Sequence, residues 1–463
     1  MNVFDLPWVE IAVAAPLLGA AAVRFARTTD AAGRIATVVT ALSLLASGLA
    51  WVAFLRGEAP PRWSLSVELL GRPLLLVDRL NGPLLPLVAL LHLLTIVTTA
   101  RVKLNRMSMT GHLIGEALRL ATFACVEPWP LVVLLAVGTV PPFVELLGRR
   151  KPTRVYVLHM TIFVGLLVAG MAGQRAGGEW APAVLLAAVL VRSGTFPAHL
   201  WVADLFRHAT FGTALLFAAP VVGVYAALRL VLHADPPEWV PRVIGIASQI
   251  TAVYAAAMAV VQTDARRFFS YLFLSHASLV MIGLELHTAT SLSGALSLWV
   301  SAALSLGGLG LVLRALEARH GTLSLASYRG LYDQTPELAV GFLLMGLGCV
   351  GFPGTLGFVA VELLVDGALE VNLSVGIALV IVAMLNGIAV VRAYLLLFTG
   401  CRHKSAVPLP VTARERGAVL LLSALILGGG LAPQYLLDDR RQAADDVYPP
   451  AMRHKTAPPH VEL

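Results

Sequence analysis

The chain has 463 residues, of which 58% are hydrophobic and only 13% are charged, and its mean hydropathy is +0.80. A soluble chain of this length would form two or three domains, but this composition instead predicts a protein that crosses a membrane many times. The net charge of +7 does not indicate a nucleic-acid partner, because the basic residues are spread over short loops between apolar runs.

Apolar runs that are long enough to cross roughly 30 Å of hydrocarbon as helices recur along the whole chain. This pattern predicts an all-α integral membrane protein with about fourteen transmembrane helices. They are predicted at residues 7–25, 34–55, 81–100, 110–126, 129–147, 154–174, 181–203, 209–232, 242–263, 267–287, 290–316, 336–366, 373–399 and 415–433.

The connections between these runs alternate between loops that are rich and loops that are poor in lysine and arginine. The positive-inside rule therefore predicts a multi-pass protein of the cell's inner (plasma) membrane, with the basic loops in the cytoplasm and both termini on the outer face. The long external connection, 56–80, partly alternates apolar and polar residues at 61–77, which indicates a short hairpin. The charged tail after Pro433 lacks a core pattern, and we expect it to be loosely ordered.

Two of the predicted helices are interrupted in their interior. Gly194 and Pro197 break the seventh run, and Pro353, Gly354 and Gly357 break the twelfth. Proline removes a helical hydrogen bond, and exposed backbone at membrane depth must be covered by protein or water. Because the twelfth run comes five places after the seventh, an odd offset, the two helices are predicted to run in opposite directions, as in inverted-repeat transporters. The alternative is a pair of ordinary packing kinks.

Polar side chains cluster near both breaks and suggest an ion path. Arg192 lies five residues before Pro197, where a charge is costly unless it is paired or hydrated. It is either one partner of a structural ion pair or a fixed counter-charge on a hydrated path, since arginine does not readily release its proton. His199 and His276 can pass protons near neutral pH, or they are hydrogen-bonded core residues.

Acidic residues complete the predicted proton or ion path. Asp204 lies in the first broken segment, and Glu362 and Asp366 follow the second break. Asp264 and Arg266 occupy a tight loop between the ninth and tenth runs, which by itself is typical of a solvated cytoplasmic turn.

No cofactor or metal site is expected in the chain. It lacks a phosphate loop, a dinucleotide-binding glycine pattern and an iron–sulfur cysteine run. The cysteines Cys125, Cys349 and Cys401 have no metal-ligand spacing and are interpreted as packing thiols. Any redox or nucleotide chemistry would therefore belong to a partner.

These motifs resemble the antiporter-type membrane subunits of respiratory complex I (NADH:quinone oxidoreductase) and of multisubunit cation/proton antiporters. The matching positions are Asp78 with Gly82, Gly194-x-Phe196-Pro197-x-His199-x-Trp201-x-x-Asp204, Gln262-Thr263-Asp264-Ala265-Arg266-Arg267 with Tyr271 and Ser275-His276, Phe352-Pro353-Gly354-Thr355-x-Gly357-Phe358, and Arg392-x-Tyr394 with Phe398 and Gly400.

The resemblance implies four parts of the chain. An N-terminal three-helix segment with the external loop 56–80 spans 1–106, and a first five-helix repeat, discontinuous near 194–197, spans 107–234. A second, inverted five-helix repeat, discontinuous near 351–357, spans 235–402, and a C-terminal helix with its charged tail spans 403–463. The seventh and twelfth helices are the discontinuous ones.

The chain also departs from the family pattern. The family's seventh-span lysine aligns with Arg192, and its fifth-span glutamate falls at Val137 or Gly138. The eighth-span lysine falls near Val221, and Ser301–Leu309 carries no charge where a polar residue is expected. The resemblance therefore implies a central polar axis with fewer titratable groups than usual.

The resemblance implies a subunit of a larger complex that contributes a proton or cation path coupled to a redox or other partner. The expected partners are other membrane subunits, a peripheral protein, the lipid bilayer and protons or small cations, with quinone in a neighbouring subunit and no nucleic acid. The chain has no catalytic domain of its own. Alternatives are the membrane subunit of a two-component inorganic-carbon transport system, a non-conducting anchor for a peripheral enzyme and a standalone secondary transporter.

Overall fold

The structure is a computed structural model that describes residues 6–57, 71, 73–99, 107–218, 221–232, 237–286, 288–400 and 410–447. About 80% of the fold is helical, and the described residues contain two isolated bridges but no strand. The α-helices are α1 (Trp8–Val23), α2 (Thr29–Leu55), α3 (Leu84–Val97), α4 (Met109–Ala124), α5 (Pro128–Val137), α6 (Val140–Gly148), α7 (Arg154–Arg175), α8 (Ala181–Ser193), α9 (Leu200–His208), α10 (Phe211–Ala218), α11 (Val222–Ala226), α12 (Trp239–Val261), α13 (Ala265–Glu285), α14 (Ala289–His320), α15 (Pro336–Val350), α16 (Leu356–Val371), α17 (Leu373–Phe398), α18 (Ala413–Leu431) and α19 (Gln434–Val447).

The described helices include eight that are long and apolar enough to cross a bilayer. This number treats α5 with α6, and α10 with α11 and the following π-helical turn (Ala227–Val231), as single spans. The pair α18 and α19, bent by 75°, forms a ninth candidate, and α1, α3, α8 and α15 are shorter apolar helices. The chain is a membrane-spanning helical protein, as its composition predicts.

Helix α14 is the centre of the packed interior. It contacts α3, α10, α13, α15, α16, α18 and α19, and nearly all of its residues are buried. Its sequence is rich in glycine, alanine and serine, which lets neighbouring backbones approach closely where burial of apolar surface gives no driving force between helices. At Gly294, for example, an added Cβ atom would lie 2.6 Å from the backbone nitrogen of Leu364 in α16.

The outer helices carry the apolar surface that faces away from this interior. On α17 the exposed side chains recur at helical spacing and form one stripe, which consists of Ile377, Val380, Met384, Ile388 and Val391. A stripe of this kind suits contact with lipid tails or with another membrane-embedded chain.

The structure divides two of the predicted apolar runs, which the sequence analysis treats as continuous helices. The run predicted at 129–147 is divided at Gly138 and Thr139 into α5 and α6, because Pro141 and Pro142 in the first turn of α6 cannot donate helical hydrogen bonds. The run predicted at 209–232 is divided before Val221, which has left-handed backbone geometry at φ +44°.

The prediction of a loosely ordered tail after Pro433 is wrong for residues 434–447, which form α19. The buried guanidinium of Arg440 donates to the carbonyl oxygens of Leu80, at 3.2 Å, and Arg79. Ala443 and Ala444 are also buried. The segment is polar apart from a short apolar stripe, so its sequence does not stand out as a packed helix. Residues 448–463 lie outside the described part.

The hairpin predicted at 61–77 lies largely outside the described residues. At its end, Leu75 forms an isolated bridge with Cys125, and Asp78 and Asn81 exchange side-chain-to-backbone hydrogen bonds of 2.9 Å. Asp78 also pairs with Arg229. This end of the connection is therefore fixed against the first half of the bundle.

The loop before α13 is more than a solvated turn. Asp264 caps α13 by accepting a 2.9 Å hydrogen bond from the backbone N–H of Arg267. Arg266 binds Glu317 with two hydrogen bonds of 2.6 and 2.8 Å and donates to the carbonyl oxygens of Phe206 and Ala209. Arg266 therefore ties the end of α9 to α13 and α14.

Replacing Gly294 with alanine should destabilise the protein. The added methyl group would press on the backbone of α16, and overpacking of this kind costs about 1–3 kcal/mol. The measurement is the thermal unfolding midpoint of the purified full chain. Gly48→Ala is the matched control, because an added Cβ atom there meets nothing within 4 Å; equal midpoints for the two variants would contradict the close packing of α14 on α16.

Arg266→Lys should lower stability although it keeps the charge. A lysine cannot form the paired bonds to Glu317 and also reach both carbonyls, and hydrogen bonds to charged groups are each worth about 1.5–3 kcal/mol. Thermal unfolding of the full chain measures the effect. The adjacent exposed residue supplies the control, Arg267→Lys, and an equally small shift for both variants would show that the Arg266 contacts contribute nothing.

Candidate functional site

The first break separates α8 from α9 and is sealed by protein groups. Gly194 ends α8 in left-handed geometry at φ +71°, where an L side chain would be strained. The N–H of Phe196 donates to the hydroxyl of Thr251 in α12 at 2.9 Å, and the indole N–H of Trp201 donates to the Val191 carbonyl at 3.0 Å. Pro197 lies within this turn, after a cis peptide bond.

Arg192 is buried in the last turn of α8, with 6% of its surface exposed. Its guanidinium lies 4.2 Å from the ring centroid of Phe217 and donates a long hydrogen bond, 3.5 Å, to the carbonyl oxygen of Phe217. None of the ion pairs formed between described residues involves Arg192. The ion-pair interpretation of this residue therefore finds no acidic partner in the described part.

A second buried arginine, Arg119 in α4, shares this environment and was missed at the sequence level. Its Nε–H donates to the Leu216 carbonyl at 2.5 Å, and its guanidinium lies 5.5 Å from the Phe217 ring. Arg119 and Arg192 line the same cavity, of about 20 Å³. That volume admits about one water molecule.

The residues that line this cavity carry positive charge only. Gly138, one of the two positions where the family pattern places a glutamate, also lines it. The site therefore holds two positive charges and no carboxylate among its lining residues. Among the described residues, the two guanidiniums are stabilised by three aromatic contacts, with the rings of Phe217 (twice) and Trp201, and by two backbone carbonyls.

His199 lies immediately before α9 and is 4% exposed. Its ring stacks on Phe196, with the centroids 5.6 Å apart, and meets Tyr254 edge-on at 5.0 Å. Neither ring nitrogen has a hydrogen-bond partner among the described residues. Ring contacts with Phe196 and Tyr254 therefore position the imidazole, and its one basic nitrogen can accept a proton.

Asp204 lies one turn further along α9 and forms a local pair. One carboxylate oxygen is 3.1 Å from Nδ1 of His208, and both side chains are largely buried. The structure thus pairs Asp204 with His208, which the sequence analysis does not predict as a site residue.

The second break lies between α15 and α16 and is covered by other helices. Gly351 and Gly354 have left-handed geometry at φ +77° and +88°, while Pro353 lies between them. At Gly357 an added Cβ atom would overlap the carbonyl oxygen of Gly348, and at Gly430 in α18 it would overlap that of Gly354. Glycine is required here because backbones touch.

His276 in α13 connects directly to this second break. Its Nδ1 lies 2.8 Å from the Leu272 carbonyl oxygen, and its Nε2 lies 2.8 Å from the carbonyl oxygen of Cys349 in the last turn of α15. A neutral imidazole carries one N–H and can donate to only one of these carbonyls, whereas an imidazolium donates to both. Gain or loss of a proton at His276 therefore changes one of these two carbonyl contacts.

Uncharged polar groups extend this environment. Ser301 and Ser305 of α14 are buried, and their hydroxyls have no described partner. The Ser301 hydroxyl lies near Gly357 of the second break, and the Ser305 hydroxyl lies near Gly348 in the last turn of α15. Ser275 receives a 3.0 Å hydrogen bond from the amide of Asn386 in α17. The span that lacks the expected charge thus still places hydroxyls beside the break.

Glu362 and Asp366 do not join this interior. Both lie on the exposed side of α16, one turn apart. The buried neighbours on the same helix are Ala360 and Leu364. The structure therefore separates these two acids from Arg192, His199 and His276.

Three further buried side chains of α3 and α4 were missed at the sequence level: His92, His112 and Glu116. With Arg119, the two residues of α4 follow the spacing i, i+4, i+7 and so share one helix face. That periodicity is the signal in the sequence for a buried polar face on α4.

Comparison with known proteins identifies the family. The family model described as "NADH:quinone oxidoreductase/Mrp antiporter, TM" matches residues 153–386, just over half of the chain. Subunit M of the NADH-quinone oxidoreductase of Mycobacterium tuberculosis is 28% identical over 304 residues, which cover 63% of this chain and 55% of that protein. The chain thus spans about half the length of this curated relative.

Two solved structures have the same fold. A chain of respiratory complex I from Thermus thermophilus with bound NADH aligns with a TM-score of 0.84 at 21% identity, covering 95% of this chain and 99% of that one. A chain of the Mrp complex from Dietzia sp. DQ12-45-1b aligns with a TM-score of 0.82 at 18% identity, covering 98% and 99%. With the family match over residues 153–386, the protein belongs to the family of antiporter-like membrane subunits of NADH:quinone oxidoreductases and Mrp antiporters.

Proposed function

We propose that the chain provides a proton path within a multisubunit membrane complex. The observation that carries this proposal is the contact between His276 and the second helix break. This titratable ring has both nitrogens facing carbonyl oxygens, one of them in a discontinuous helix, so its proton occupancy decides whether one or both carbonyls receive a hydrogen bond.

The proposed path runs from the first break to the second. Asp204 with His208 forms its cytoplasmic end, His199 follows within the first break, and His276 receives the proton beside the second. Hydroxyl groups of Ser301 and Ser305 offer sites for bridging water. A small cation is the second candidate cargo, but the nitrogen-rich lining favours protons over alkali ions, which prefer oxygen ligands.

Arg192 acts in this proposal as a fixed positive charge. Its guanidinium keeps its proton and is held against Phe217, so it sets the local potential without relaying protons. Arg119 adds a second fixed charge beside it.

The membrane topology proposed for the chain has fourteen crossings with both termini on the outer face of the inner membrane. Every one of the fourteen apolar runs contains a helix, and the basic loops alternate with the others. The inverted repeats, 107–234 and 235–402, are supported by the corresponding breaks at Gly194–Pro197 and Gly351–Gly357. The segments 1–106 and 403–463 flank them.

The proposed partners follow from the relatives and from the surface. The relatives are subunits of a quinone oxidoreductase and of an Mrp complex, so other membrane subunits are the expected neighbours. The exposed acids Glu362 and Asp366 on α16 would face such a neighbour or a water channel shared with it, since isolated charges facing lipid are costly. Quinone and a peripheral partner would bind elsewhere in the complex.

The relatives give no support to the inorganic-carbon, anchor or standalone-transporter alternatives. The anchor alternative makes the opposite prediction for transport. If the chain only anchors a peripheral enzyme, substitutions along the buried path leave proton movement unchanged.

His276→Gln should abolish most proton-coupled transport without preventing assembly. Glutamine keeps a hydrogen-bonding amide of similar size but cannot exchange a proton at neutral pH, and a positioned proton-transfer group contributes about 100-fold or more. The measurement is proton movement in membrane vesicles that contain the whole complex. His320→Gln is the matched control, because His320 is a half-buried histidine at the end of α14 that lies outside the proposed path. Wild-type rates for His276→Gln would refute the path.

Arg192→Lys and Arg192→Met separate charge from shape. A fixed counter-charge predicts that the lysine variant keeps proton transport within about tenfold, whereas the methionine variant, which fills similar space without charge, loses it. The same vesicle assay applies, with complex assembly checked in parallel. Equal loss in both variants would show that the guanidinium geometry matters rather than its charge, and full transport in both would remove Arg192 from the path.

A further inference from the structure

A buried group of three ligand-type side chains lies apart from the proposed path, where α2, α3 and α4 meet. His92 of α3 is 2% exposed, and His112 and Glu116 of α4 are 8% and 0% exposed. One nitrogen or oxygen atom from each of the three lies within 4.8 Å of the others. The two imidazole ring centroids are 4.7 Å apart.

The atoms that face one another are free of other bonds. Both ring nitrogens of His92, Nε2 of His112 and Oε1 of Glu116 are buried without a hydrogen-bond partner among the described residues. Unpaired polar atoms at this depth are rare and costly, and four of them in one group indicate a common ligand.

One further polar atom of the group is already held in place. The second carboxylate oxygen of Glu116 accepts a 2.8 Å hydrogen bond from the hydroxyl of Thr40 in α2. Metal-binding histidines and carboxylates are typically oriented by outer contacts of this kind, which leave the other atom free for the ion.

We propose that His92, His112 and Glu116 bind a transition-metal ion of the zinc class. Two imidazole nitrogens and one carboxylate oxygen are a ligand set that Zn²⁺ and related ions accept, whereas alkali ions, Mg²⁺ and Ca²⁺ prefer oxygen. Ligand atoms at this separation need only a small closure to reach metal bonds of about 2.0–2.2 Å. A site here would cross-link α3 to α4, against the expectation from sequence that the chain holds no metal.

The surrounding charges oppose a dication only in part. Arg314 and Arg119 both act electrostatically on His112. Arg314, however, donates to the Thr95 carbonyl and to the Thr99 hydroxyl, and its charge is offset by Glu317 and Glu415. Arg119 turns toward Leu216 and away from the group. Glu116 has no such cationic partner, so its carboxylate is free to balance the ion.

The experiment is equilibrium binding of Zn²⁺ to the chelator-treated full chain in detergent, with elemental analysis of the washed protein. We expect about one Zn²⁺ per chain, as for a single protein-bound site. His92→Ala and Glu116→Gln should lower the affinity by at least about 100-fold, and the outer-contact variant Thr40→Val by about 10–100-fold. Glu116→Gln keeps the shape of the side chain, so it separates ligand loss from misfolding. Replacement by Co²⁺ should give visible absorption bands of a nitrogen- and oxygen-ligated ion.

His159→Ala is the matched control and should bind Zn²⁺ as the wild type does. Wild-type protein that retains no stoichiometric Zn²⁺, or variants of His92 and Glu116 that bind as tightly as the wild type, would overturn the proposal. These readouts do not use transport, so failure of the metal site and failure of the proton path are distinguishable.

Discussion

The constraint on which this structure depends is that interrupted backbone inside a membrane must be satisfied by protein. Each of the two breaks is met by groups from other helices. Thr251 of α12 accepts the free N–H of Phe196, and Trp201 caps a carbonyl of α8. At the second break, His276 of α13 reaches the Cys349 carbonyl. The titratable histidine is thus also a structural contact, which is how a proton could influence the fold.

The close packing around the breaks follows from the same constraint. Helix α14 runs through the interior with glycine, alanine and serine along its length, so that α16 can approach its backbone at Gly294. A larger residue there would hold the second break away from α14, and Ser301 would no longer lie beside it. Small residues in this bundle therefore position polar groups as well as allowing contact.

Much of this architecture could be predicted from the amino-acid sequence. Long apolar runs and the Gly/Pro signals at Gly194 and Gly351–Gly357 are local features, so the helices and both breaks were accessible without a structure. The family assignment rested on motifs such as Gln262–Arg267 and is confirmed by the family match. The division at Gly138 was also signalled, by Pro141 and Pro142, but was overlooked.

What the sequence could not provide is the direction in which polar side chains point. Glu362 follows the second break along the chain yet lies on the exposed side of α16, whereas Arg119 and Glu116, in a run that was read as simply apolar, are buried. Successive side chains on an α-helix point about 100° apart, so a prediction that is wrong by one residue places a side chain on another side of the helix. Predicting which side chains are buried therefore needs the neighbouring helices as well as the hydrophobic period. Helix α19 was missed for a related reason, since the buried Arg440 binds carbonyls of a distant connection.

The pair Arg119 and Arg192 shows how this chain differs from a simple lysine relay. Two guanidiniums line one cavity, with Phe217 between their contacts and with carbonyls of Leu216 and Phe217 as acceptors. Aromatic faces and carbonyl dipoles stabilise a cation without removing its charge, whereas a carboxylate would neutralise it. Because the two arginines are stabilised without being neutralised, the cavity keeps a positive potential whether or not neighbouring histidines are protonated. In the proposed path the two arginines therefore supply a fixed counter-charge that stays the same when a proton arrives at or leaves a histidine, because a guanidinium does not readily release its own proton.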